Sequence, residues 1–179
     1  KTMAALNKKL AAALAVPIIF LALLCAYKAF KVMAGKKIIV PITGFDPRDI
    51  LSGHYLTYRL KLDTGDACQG SDWDRDNISL CLALDGGGTV IGSVPMYHDD
   101  EENLCDALLS GKCSGGSFVA GIERFYIPEN ESAALDRAVR SGEGSLVVSV
   151  DRKGKAAVKE LLINGRPWRK AVRHMKSRE

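Results

Sequence analysis

The feature that most constrains this chain is an eighteen-residue run without a charge, Leu10 to Tyr27. As a helix it extends about 27 Å, close to the hydrocarbon thickness of a bilayer. Pro17 lies inside it, which membrane helices tolerate better than soluble ones. Lysines crowd both ends, which argues against a helix buried in a soluble core. A cleaved signal peptide is the main rival, with Val32-Met33-Ala34 as the cutting site. Lys28 and Lys31 stand between the apolar core and that site, and Leu24 before Cys25 is too bulky for a lipoprotein signal. The sequence therefore favours a retained signal anchor over 10–30, behind a short cytoplasmic segment, 1–9.

Lysines do not orient the anchor, because Lys1, Lys8 and Lys9 precede it while Lys28, Lys31, Lys36 and Lys37 follow. Cysteines say more. Cys25 falls in the anchor, leaving Cys68, Cys81, Cys105 and Cys113. An even number with no CxxC pair fits two disulfides better than a metal site. Disulfides persist in oxidising compartments, so the domain is expected outside the cytoplasm, with reduced, buried cysteines as the alternative. Of three connectivities, Cys68–Cys81 with Cys105–Cys113 is preferred here, since each closes a short loop.

Residues 36–167 are enough for one domain with a core of its own, followed by a basic tail, 168–179. From Asp63 to Asp106 there are eleven acidic residues and one basic one, Arg75. From Arg152 to Arg178 there are ten basic residues against Glu160. That basic end suits a solvated surface, anionic headgroups or an acidic partner. Nucleic acid is not indicated, as no recognition motif accompanies the charge.

Strands are expected at Lys37–Ile42 and Tyr55–Leu62, then at Ile78–Leu84 and Thr89–Val94 around Asp85-Gly86-Gly87-Gly88. Ser117–Glu123 and Phe125–Ile127 follow. A short helix is expected from Asn130 to Val139, closed by Ser141-Gly142. Leu146–Val150 and Ala156–Ile163 form a last hairpin, and the end from Arg166 is either frayed or helical. The expected fold is mainly β, barrel-like or sandwich-like, with one short helix and an N-terminal transmembrane helix.

The stretch Asp46-Pro47-Arg48-Asp49-Ile50-Leu51-Ser52-Gly53-His54-Tyr55-Leu56-Thr57-Tyr58-Arg59-Leu60 resembles the GDYXXLXY family of membrane-anchored bacterial proteins. Phe125-Tyr126-Ile127-Pro128-Glu129 and Ile163-Asn164-Gly165-Arg166-Pro167 extend the likeness over most of residues 38–167. Gly53 and Tyr55 match the namesake motif; His54 replaces its Asp, Tyr58 its Leu and Leu60 its last Tyr. The resemblance implies anchoring in the bacterial inner membrane, a periplasmic domain and a multi-pass membrane partner. It implies no activity.

Physically, Pro47 presets a turn, and Asp46 and Asp49 can accept bonds from nearby backbone N–H groups. Tyr55, Thr57 and Arg59 then share one strand face; Leu56, Tyr58 and Leu60 share the other, the expected core side. Asp46, Arg48, Asp49, His54 and Tyr55 form the candidate ligand or partner patch. His54 beside a carboxylate is the one arrangement suited to proton transfer, yet no GxSxG or Ser-x-x-Lys marks a nucleophile. Asp72-Trp73-Asp74-Arg75-Asp76-Asn77 opens like a calcium loop, but Asn77 occupies the glycine position and Ala83 the twelfth. That loop, and His98-Asp99-Asp100-Glu101-Glu102, read as solvated. Three histidines argue against a histidine-rich metal site, and no cofactor is expected. The leading expectation is a non-catalytic accessory subunit; the alternative is an envelope hydrolase or ligand sensor built on Arg48, Asp49, His54 and Tyr55.

Overall fold

A computed structural model describes residues 2–44, 55–69, 76–96 and 105–176. The chain divides into two compact units, 1–34 and 35–179. The first is a single helix, α1 (Thr2–Ala34), continuous through Pro17. Its segment Ala13–Phe30 has a mean hydropathy of 2.2 and none of it is buried, so it is long and apolar enough to cross a membrane. Leu14, Ile18, Phe20, Leu23 and Phe30 are among the exposed apolar side chains. A helix apolar on every side has no polar face to give to water.

The second unit is β-rich, as its alternating segments require. Six strands form one sheet: β1 (Lys36–Gly44), β2 (Tyr55–Leu60), β7 (Arg124–Tyr126), β8 (Gly144–Val150), β9 (Ala156–Ile163) and β10 (Arg166–Pro167). Their order is β10-β9-β8-β1-β2-β7, with antiparallel pairing throughout. A second sheet has the order β4-β3-β5-β6, from β3 (Ile78–Leu84), β4 (Val90–Met96), β5 (Ala107–Ser114) and β6 (Ser117–Val119). The two share one core, to which Ile38, Val40, Leu80, Leu109, Leu146 and Leu161 each contribute a side chain with no exposure. They also touch through backbone: Ile39 N–H donates to the Gly88 carbonyl and Ser110 N–H to that of Gly154, both at 2.8 Å.

Helix α2 (Glu129–Arg140) begins where Pro128 leaves an extended backbone, with Glu129 and Glu131 in its first turn and Arg137 and Arg140 in its last. These charges oppose the helix dipole at each end. Leu135, Ala138 and Val139 bury its apolar face, and the helix packs on β1, β2 and β8. The chain end takes the helical form: α3 (Trp168–Lys176) buries Trp168, Ala171 and Val172 and packs on β9 and α2. Among the described residues the domain therefore carries two short helices, the expected one and the helical end. Trp168 meets Phe125 edge to face at 6.4 Å.

The preferred disulfide pairing is overturned. Cys68 bonds Cys113 and Cys81 bonds Cys105, with Cα separations of 5.4 and 5.2 Å that suit the bond. Strand alternation explains the difference. Ile78, Leu80 and Leu82 of β3 point into the core, so Cys81 between them points out; Cys68 and Cys113 are buried. Cys68 and Cys81 thus lie on opposite sides of the sheet. Loop length was a poor guide, because closure entropy rises only slowly with length.

Candidate functional site

Strand β2 carries the sequence motif, and its two faces have different tasks. Leu56 and Tyr58 are buried, at 4% and 1% exposure, on the side expected to form the core. The Tyr58 hydroxyl donates to the Ile122 carbonyl. Burial, reinforced by the negative charge of Glu123, pushes its phenol well above the ordinary range, so Tyr58 stays neutral. It is a core residue with its polar tip satisfied.

The other face opens onto a cleft of about 540 Å³, lined by Thr57, Arg59, Ser117, Phe118, Glu123 and Arg124. Register places Thr57 opposite Arg124 across the β2–β7 ladder. Thr57 Oγ1 is buried without a hydrogen-bond partner among the described residues. Glu123 accepts from Ala120 N–H at 2.6 Å, which fixes its carboxylate in the four-residue link between β6 and β7. The cleft thus joins cationic, acidic, hydroxyl and aromatic groups where the strands at one edge of each sheet converge. A second cleft, of about 490 Å³, lies along edge strand β4 between Pro41, Lys61, Asp63 and Ile91.

Asp46, Arg48, Asp49 and His54 of the expected patch lie outside the described residues. Tyr55 is described through its backbone, as the first residue of β2, paired with Tyr126. His98 and residues 72–75 of the calcium-like loop also lie outside. Among the described residues, no three His, Cys, Asp or Glu side chains gather as metal ligands. Sequence reading missed Ser117, Phe118, Glu123 and Arg124 as cleft residues. Only the alternation of Arg124-Phe125-Tyr126 hinted at an outward arginine, and its neighbour across the ladder is more than sixty residues away.

One family model, that of the GDYXXLXY protein, matches residues 17–161, from within the apolar helix through the motif strand and into β9. The chain belongs to the GDYXXLXY family. No curated protein and no solved structure matches it. Within a GDYXXLXY protein the departures at Tyr58 and Leu60 become intelligible. Both positions are on the core side of β2, where Leu60 packs against the buried cluster. They call for apolar volume, and Tyr58 meets the added demand of a hydroxyl through Ile122.

Proposed function

We propose that this GDYXXLXY protein is a non-catalytic accessory subunit. Residues 10–30 anchor it in the bacterial inner membrane as an uncleaved signal anchor. Residues 1–9 remain cytoplasmic, and the domain binds a multi-pass membrane protein from the periplasmic side. The observation that carries this reading is the coupling of one apolar helix to a domain braced by two disulfides. The helix accounts for attachment, and the disulfides suit an oxidising compartment. The partner patch is Asp46, Arg48, Asp49, His54 and Tyr55, which lead in sequence to β2, whose Thr57 and Arg59 line the cleft.

Affinity purification of the intact protein in mild detergent tests the reading. A multi-pass protein recovered in stoichiometric amount is expected; recovery of the chain alone in every detergent would overturn it. His54→Asn separates the alternative of an envelope hydrolase. Asn keeps a hydrogen-bonding side chain of similar size at the partner patch, so a subunit still co-purifies with its partner, whereas an enzyme using His54 as its base loses turnover.

A further inference from the structure

The pairing of β1 with β8 gathers positive charge at one end of the larger sheet. Lys36 pairs with Val150 and Lys37 with Ser149, so the start of β1 adjoins the turn 151–155 that joins β8 to β9. That turn carries Arg152, Lys153 and Lys155, all exposed, as are Lys36 and Lys37. More than a hundred residues separate the two groups in the chain, and only the sheet unites them.

The turn is held firmly. Asp151 N–H donates to the Lys155 carbonyl and Gly154 N–H to that of Asp151, both at 3.0 Å. Ser110 on β5 bonds it twice, donating its N–H to the Gly154 carbonyl and its hydroxyl to that of Lys153, each at 2.8 Å. Gly154 has φ +76°, and a Cβ there would lie 2.4 Å from Ser110 Oγ, so this glycine is needed for the close approach.

Among the described residues three carboxylates share this end, and each accepts from backbone N–H groups. Asp151 Oδ1 accepts from Lys153 and Lys155 N–H, both at 2.9 Å. Asp85 Oδ1 accepts from Gly87 and Thr89 N–H, and Asp106 Oδ2 from Leu84 N–H at 2.9 Å. Of the five cations, Lys36 donates to the Asp106 carbonyl and the others extend outward. Five cations against three backbone-bonded carboxylates leave this end net positive among the described residues.

The same end is where the chain arrives from α1. One residue, Gly35, separates Ala34 from Lys36, and a Cβ at Gly35 would lie 2.4 Å from Ser149 Oγ. The chain is therefore laid against β8 from its first residue after the helix. Residues 31–34 carry the helix about 6 Å past residue 30, and two further residues reach about 7 Å at most. An anchored α1 therefore keeps Lys36 within about 13 Å of the end of the apolar span.

We propose that Lys36, Lys37, Arg152, Lys153 and Lys155 form a docking surface for anionic phospholipid headgroups, seating this end of the domain on the membrane. The inference rests on the reading of α1 as a membrane anchor. Two net positive charges beside an anionic leaflet favour the docked state by a factor on the order of ten.

The test uses the full chain reconstituted in vesicles of phosphatidylcholine alone, or of equal parts phosphatidylcholine and phosphatidylglycerol. Alkaline carbonate washing reads the anchor, and amide hydrogen exchange across 152–155 reads the docking surface. The expected result is retention through the wash in both lipids. Exchange should be about tenfold slower in the anionic vesicles, a difference lost at about 1 M salt, where the screening length falls to about 3 Å. Arg152→Gln, Lys153→Gln and Lys155→Gln together should abolish it as well, and the salt arm needs no variant to fold. Retention with equal exchange in both lipids would overturn the docking surface alone. Release by carbonate would overturn the anchor, and this inference with it.

Discussion

The two sheets reach order by different means. The six-stranded sheet has long ladders, such as Lys36–Pro41 on Ser145–Val150, and α2 and α3 pack against it. The four-stranded sheet is shorter, and its edge strand β4 leaves Ile91 and Val94 exposed at 69% and 60%. Both disulfides fall on this smaller sheet: Cys81 belongs to β3, Cys113 to β5, and Cys105 lies just ahead of β5. Covalent bracing has been placed where apolar cover is thinner. The comparison teaches that the disulfides brace the sheet with less apolar cover.

The strongest way to break the contrast is to remove the buried disulfide. Cys68→Ser with Cys113→Ser opens a 45-residue separation and should cost about 4 kcal/mol on loop-entropy grounds. Urea unfolding measures that loss, and amide exchange should rise in β3–β6 before it rises in β8 and β9. Uniform loosening of both sheets would contradict the division of labour.

Leu161→Ala probes the other side of the comparison. Leu161 has no exposure, and truncating such a side chain costs roughly 2–5 kcal/mol. The loss should persist under reducing conditions, since packing on β9 does not depend on the cysteines. Tyr58→Phe is milder, at about 1–3 kcal/mol, because it leaves the buried Ile122 carbonyl without its donor. Tyr58→Leu, which restores the residue of the family motif, should show whether volume or the hydroxyl dominates at this position.

The smallest effect concerns the turn that opens β4. Backbone N–H groups, that of Thr89 first, hold the Asp85 carboxyl below the ordinary carboxylate range. A depressed folded-state pKa gives stability that is present above the unfolded value and lost as pH falls through the folded one. Asp85→Asn should therefore lower the neutral plateau of the thermal midpoint profile slightly and flatten its acid limb. An unaltered acid limb would remove this turn from the contrast between the sheets.

Much of the fold was legible because strands alternate and turns have chemical markers. The strands Ile78–Leu84 and Ala156–Ile163 stand as expected. Strand β5 was missed: Ala107-Leu108-Leu109-Ser110-Gly111-Lys112-Cys113-Ser114 is rich in small residues and poor in β-branched ones. Gly111 is needed there because a Cβ would meet the Val119 carbonyl at 2.5 Å and the Phe118 ring at 2.6 Å. The structure shows Gly111 at a close crossing of β5 and β6. Of the candidate site, the outward alternation of Thr57 and Arg59 was legible, while Glu123 and Arg124 were not.

By itself, the sequence determined the properties that depend on neighbours along the chain. The apolar helix, the alternation of β2, the family motif and the even number of cysteines are all of this kind. Tertiary structure alone decided which cysteines bond, which residues line the cleft and where the cations of 36–37 and 152–155 meet. These depend on strand order and on which face a side chain takes, and contacts between distant segments set both. A period of two shows that a strand has two faces; only the packed sheets tell what each face meets.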